Sequence, residues 1–322
     1  MVQSGAVCGL VRAMRAVRAR AGPADARGGA LAAAEFAGRC AVLLRGGLAP
    51  DRALRAAALE TPGAPIELIG HLDRGASAAE ALRAATADPD WRLVAAAWTL
   101  AERSGAPLAP ALERISAALH DLVRMRGRRA TLLAGPRMTV RMVASLPPLA
   151  LLLGAALGFD PIPVLVGPAG ALLLAVGTAL LVAGIAWARS LTRTVADRDR
   201  VAAVEFELVW IVLSGGAGPG EALVRVADCV SDLRVAWVRF DELCAGRPLR
   251  RTLAGAARAG VPVATLLLEE AEAVRGRALA DLESEAERLG VRVLVPLGVC
   301  VLPAFIALGV MPVLLSMLGG VG

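Results

Sequence analysis

The residues able to do chemistry are few. His71 and His120 are the only imidazoles, and the five cysteines, Cys8, Cys40, Cys229, Cys244 and Cys300, stand far apart. No CxxC or HExxH spacing occurs, so neither a metal site nor a cofactor site is expected. Two scattered histidines suggest no Ser-His-Asp arrangement, and an enzyme is not expected. Asp88 and Asp90 flank Pro89 as a loop and helix cap rather than as an acid–base pair. The Gly-rich stretch "GGAGPGEAL" (215–223) lacks the Gly-Lys-Ser/Thr ending of a phosphate loop and follows no strand, so it reads as a turn. Unpaired thiols fit a reducing, cytoplasmic setting.

What must position so little chemistry is a chain too apolar for an ordinary soluble protein: 57% of its 322 residues are hydrophobic. The excess is segregated. Residues 142–159, 161–188 and 293–322 carry no charge, and each meets or approaches the roughly 20 residues that cross a bilayer as a helix. Three transmembrane helices are expected, with Pro296, Pro303 and Pro312 kinking the last.

The net charge of +6 is equally segregated. Residues 31–123 carry nine Arg against eleven acids, and 201–290 ten Arg against fourteen; 124–141 carries six Arg and no acid. The basic surplus borders the spans, which points to anionic headgroups. With 3% aromatic residues and no Tyr, there is no stacking platform, and nucleic acid is not an expected partner. Every basic side chain is Arg.

Arginines flank the first pair of spans on both sides, at 124–141 and at Arg189, Arg193, Arg198 and Arg200, whereas the joining loop "GFDPIP" (158–163) has none. Arg-rich short loops stay in the cytoplasm. The expected topology is N-terminus inside, C-terminus outside. Residues 1–30 form a basic leader with no signal-peptide cleavage pattern. It reads as a short helix on the membrane surface, an unstructured leader, or residues ahead of the true start.

The remaining sequence reads as helices divided by Gly and Pro, without strand patterns. Three landmarks recur in order. "LLRGGLAPDRAL" (43–54) matches "VLSGGAGPGEAL" (212–223) through Gly46, Gly47 and Pro50 against Gly215, Gly216 and Pro219. "RGASAAEAL" (74–82) matches "AGRPLRRTL" (245–253), with Ser77 and Pro248 as the opening positions. "AERSGAPLAPAL" (101–112) matches "AARAGVPVATLL" (256–267) through Gly105 and Gly260. Each pairs a helix-ending Gly with a helix-opening Pro or Ser. The pattern predicts a duplication of an all-α bundle of about six short helices.

The expected division is a leader (1–30), a first cytoplasmic bundle (31–135), a first span (136–159), an external loop and second span (160–190), a second bundle (191–290) and a last span (291–322). That order, with the turns "GGLAPDRAL", "GASAAEAL" and "SGAPLAPAL", resembles the type II secretion F domain family over roughly residues 31–318. Its turn before the last bundle helix reads Gly-Glu-x-Ser/Thr-Gly-x-Leu; here Ala101 replaces the first Gly, Glu102 and Gly105 are kept, and Ala257 stands where the second copy would carry Glu. The tail "LGVRVLVPLGVCVLPAFIALGVMPVLLSML" is similar to how platform proteins of the Tad (Flp pilus) branch end. The resemblance implies a non-catalytic inner-membrane platform of a pilus or secretion machine. Its implied partners are a hexameric cytoplasmic ATPase, pilin-like membrane subunits, the bilayer and further copies of itself.

The acidic helix at 266–290, with Glu269, Glu270 and Glu272, has two readings: a solvated face with intrahelical Glu–Arg pairs, or a docking surface for the ATPase. The alternative function is a subunit of a membrane transporter or an unrelated membrane-anchored scaffold. The absence of ionisable groups inside the spans speaks against a transport path.

Overall fold

In a computed structural model, the structure describes residues 23–85, 88–156, 168–196, 203–235, 238, 247–311 and 314. Among the described residues there is no strand. Two expectations, the structure of residues 1–22 and of the 158–163 loop, lie outside them, as do Cys8, Cys244 and Pro312.

The first polar region folds as six helices: α1 (Pro23–Arg45), α2 (Pro50–Glu60), α3 (Ile66–Asp73), α4 (Ala78–Ala85), α5 (Pro89–Ser104) and α6 (Leu108–Leu132). Then come α7 (Ala134–Ala156) and α8 (Pro168–Ala196). The second polar region gives α9 (Val204–Ser214), α10 (Pro219–Leu233), α11 (Arg247–Ala259) and α12 (Val263–Arg292), and the chain continues into α13 (294–310). In the second region the single helix α11 bridges two landmarks that α4 and α5 divide between them in the first.

The chain forms two compact units. Unit 1 comprises residues 1–126 and 200–278. The two polar regions, expected as separate bundles, therefore lie in one unit, and their buried residues form one hydrophobic cluster containing Phe36, Trp98, Leu112, Phe206 and Leu267. The cause is visible in two helices. In α5 every residue from Leu93 to Ala101 is buried, and in α9 all but two of the residues from Val204 to Val212 are. A helix apolar all round must be covered all round. Helices α5 and α9 pack against each other, and α10 also packs on α5. Separately, each Ala-rich region would have only a small core to offer.

Unit 2, residues 127–199 and 279–322, is built from the ends of α6 and α12 together with α7, α8 and α13. Leu133, Val140, Ala188, Leu289, Val293, Leu297 and Val301 form its core. Among the described residues two helices are long and apolar enough to cross a membrane, within Leu172–Thr192 and Val263–Val310. Only 17% of the most apolar window of the first is buried, so most of its apolar surface needs a non-aqueous cover. The expected first span corresponds to α7. Close approach of α8 to α13 depends on glycine: a Cβ at Gly177 would come 2.5 Å from Leu308 Cγ, and one at Gly184 would come 2.8 Å from Cys300 Cβ.

The prolines of the last span act in a defined way. Leu297–Val301 and Ile306–Val310 are π-helical turns. The Leu302 N–H donates to the Leu297 carbonyl, and the Met311 N–H to the Ile306 carbonyl, both five residues back. Each bond ends one residue before a proline, Pro303 or Pro312. A proline has no N–H for the carbonyl four residues earlier. Widening the turn N-terminal to it re-pairs backbone groups that have no other partner in an apolar setting.

Candidate functional site

The turn residues of the two polar regions hold parallel geometry. Gly47 has φ 85° and Gly216 φ 90°; Gly105 has φ 73° and Gly260 φ 66°. These are left-handed conformations that glycine adopts without the penalty a Cβ brings. Pro50 and Pro219 each open the following helix at its first position. Gly46 precedes Gly47 with no close approach except to its own helix. At the second landmark Ser77 and Glu80 form a capping box, Ser77 N–H to Glu80 Oε2 at 3.0 Å and Glu80 N–H to Ser77 Oγ at 3.3 Å. These bonds, the backbone one foremost, hold the Glu80 carboxyl below its usual range.

Within unit 1 one turn of each polar region meets the other. Gly105 caps α5, its N–H donating to the Ala101 and Glu102 carbonyls. Glu102 accepts from Trp98 Nε1 at 2.8 Å, and the Ser104 hydroxyl donates to the Leu100 carbonyl at 2.7 Å. Against this turn sits Gly215, where a Cβ would lie 2.3 Å from the Ser104 carbonyl oxygen. Nothing but glycine fits without moving backbone. Arg225 of α10 also donates to the Arg103 carbonyl, at 3.5 Å.

A second contact between the two polar regions is ionic. Glu207, 1% exposed on α9, receives Arg114 Nε of α6 and Arg275 Nη2 of α12, each at 2.5 Å. Arg275 also lies 3.6 Å from Asp121, which pairs with Arg124, and the Arg114 guanidinium sits 5.1 Å over the Trp210 ring. A buried carboxylate is tolerated only when its charge is matched in this way, and the π face of Trp210 holds one of the two cations in place. A further buried pair, Asp90–Arg126 at 3.5 Å, ties the start of α5 to α6. Asp88 is the N-cap of α5, accepting from the Asp90 N–H at 3.0 Å.

The candidate docking residues lie on α12. Glu269 and Glu272 are exposed, while Glu270 is half-buried and paired with Arg277 at 2.5 Å. Both histidines make local helical contacts, His120 Nδ1 with the Ser116 carbonyl at 2.9 Å and His71 Nδ1 with Arg74 at 3.1 Å. Burial pushes the Cys229 thiol up to about 11, and the Cys40 thiol higher still.

The ionic contact is what reading the sequence missed. Its signal was present: Glu207 is a lone acid inside the apolar run "FELVWIVL" (206–213), where it requires a partner. A second overlooked echo is Glu35-Phe36 against Glu205-Phe206, with both rings fully buried.

No curated protein matches the chain. Its first half does have a family likeness, and it covers α1 from Phe36 onward, the whole of α2 to α6, and nearly all of α7: residues 36–155 match the family of the type II secretion system (T2SS) protein F.

Proposed function

We propose that this chain is the inner-membrane platform protein of a Tad/Flp-type pilus or a type II-like secretion system, coupling a cytoplasmic ATPase to the extraction of pilin-like subunits. The observation that carries the reading is the T2SSF match over residues 36–155, joined to two helices fit to cross a membrane. The recurrence of the Gly47/Pro50 and Gly105 turn geometry at Gly216/Pro219 and Gly260 supports a second, diverged copy of the domain in residues 203–292. The last span's likeness to Tad-branch platforms supports the finer assignment.

In this reading the polar regions are cytoplasmic, α7, α8 and α13 span the membrane, and the N-terminus lies inside with the C-terminus outside. The protein catalyses nothing. Its interior is held by matched ion pairs and glycine turns, and its work is done at surfaces. Glu269 and Glu272, which make no ion pair among the described residues, offer an acidic face for a basic patch on the ATPase. They lie on α12, which runs without a break to Arg292 at the edge of the uncharged tail.

The test is co-purification of the detergent-solubilised full chain with the cognate hexameric ATPase, beside the charge-reversal variant E269R/E270R/E272R. Binding that is lost on reversal supports both the platform and this surface. Binding that survives reversal supports the platform and removes the surface. Absence of binding to hexameric ATPase rejects the platform reading.

A further inference from the structure

The arginines that border the apolar segments divide into two kinds. Four from the acid-free run 124–141 are engaged inside the fold. Arg124 pairs with Asp121, Arg126 is buried against Asp90, Arg128 pairs with Glu283 at 3.0 Å, and Arg129 also has a partner. Acids of the chain answer the charges of Arg124, Arg126 and Arg128, although Arg124 and Arg128 stay exposed.

Four others are different. Arg141 on α7, Arg189 on α8, and Arg288 and Arg292 on α12 are exposed and make no ion pair among the described residues. They come from three helices of unit 2. Arg141 follows Val140, Arg189 follows Ala188, and Arg292 precedes Val293; those three neighbours are buried in the same core cluster. Leu289, beside Arg288, is buried there too. Each helix turns uncharged next to its arginine: residues 142–159 after Arg141, 161–188 before Arg189, and 293–322 after Arg292. The four arginines therefore flank one core and stand where apolar surface begins.

We infer that Arg141, Arg189, Arg288 and Arg292 form a binding girdle for the phosphodiester headgroups of anionic phospholipid. Guanidinium forks suit phosphate oxygens, to which they donate two parallel hydrogen bonds. Unpaired cations at the start of an apolar segment favour a phosphate that brings its own acyl chains over a free anion. Of the acids near them on α12, Glu283 is held by Arg128 and Glu285 has a partner of its own, which leaves the exposed Glu287 beside Arg288 as one negative charge against four positive ones. Because the chain has no Lys, all of this charge is in the fork form. The inference rests on the membrane reading above.

The experiment uses the full chain, purified and delipidated in a neutral detergent, titrated with phosphatidylglycerol, with phosphatidylcholine, or with inorganic phosphate. Bound lipid is counted by native mass spectrometry. Wild type is expected to retain phosphatidylglycerol and to release phosphatidylcholine. R141Q/R189Q/R292Q should bind phosphatidylglycerol roughly a hundredfold more weakly, from about fivefold per arginine at an anionic surface. R124Q, whose guanidinium is engaged by Asp121, should bind as wild type does. The Lys triple variant R141K/R189K/R292K should keep most of the affinity, separating loss of charge from loss of fold.

Equal retention of both lipids, undiminished binding by the Gln triple variant, or competition by inorganic phosphate as effective as the lipid would each overturn the girdle. Carbonate extraction of wild-type membranes is run alongside. A chain released by carbonate would defeat the membrane reading itself, whereas a chain that resists carbonate and shows no lipid preference defeats the girdle alone.

Discussion

The two polar regions use the same turns and different interiors. In the first, α4 and α5 are separate helices, Glu102 is tied to Trp98, and the helix that opens the region, α1, is lined with alanine and Phe36. In the second, α11 replaces that pair, Ala257 stands in place of Glu102, and α9 buries Glu207 among bulky apolar residues. Turn residues are fixed by the local backbone, so they persist whatever packs around them. The interiors are fixed by which surface each region must cover. The second region supplies an acid that the first region's Arg114 and its own Arg275 neutralise. The two regions are alike where the chain bends and complementary where they touch.

The largest break in that complementarity should come from R114A/R275A. It strands the buried Glu207 carboxylate and is expected to cost about 3–5 kcal/mol, read by denaturant unfolding of the full chain in detergent. A loss under about 1 kcal/mol would show that Glu207 is not held by these partners. Next is Gly215→Ala, which drives a methyl into the Ser104 carbonyl and should cost about 1–3 kcal/mol. Its counterpart Gly46→Ala meets only its own helix, 3.3 Å from the Leu43 carbonyl, and should cost no more than about 0.5 kcal/mol. Equal effects would mean that the turn contact between the two regions is absent.

The likeness is sharpened by Gly47→Ala and Gly216→Ala. Both have positive φ and open space around the added methyl, so each should lose about 1–2 kcal/mol from backbone strain alone. Unequal losses would argue against a common turn.

The last effect is alkaline. The Cys229 thiol ionises at about 11 in the fold against 9.0 ordinarily. The unfolded chain therefore gives up its proton first, and stability that is complete below pH 9 should fall between pH 9 and 11. Cys229→Ala should flatten part of that decline in a pH series of melts. Cys40, whose burial is the deeper of the two, should account for the rest.

Those four tests also mark what could be read from sequence. Gly47, Gly105, Gly216 and Gly260 were legible because a left-handed residue before a helix-opening Pro or Ser is a local demand written in a few letters. So were the helical class and the acidic helix through Glu269. Glu207 with Arg114 and Arg275 was not, because the partners lie 93 and 68 residues away along the chain and no local pattern joins them. The merging of the two regions into one unit was also hidden. It follows from α5 and α9 being apolar on every side, a feature that also fits a helix buried within its own bundle. Prolines in the last span were visible as interruptions, but the periodicity gave no sign of whether the helix would bend, break or widen.

It widens, and that has an angular consequence. Each π turn holds one residue more than the α-helical path, and one residue is about 100° around the axis. Two such turns, at Leu297–Val301 and Ile306–Val310, put the residues after Val310 about 200° out of phase with a regular helix drawn from Val293. A helical wheel would assign Met311 and Leu314 to nearly the opposite side of the span. The face that the end of this helix shows to its surroundings is thus chosen by two prolines.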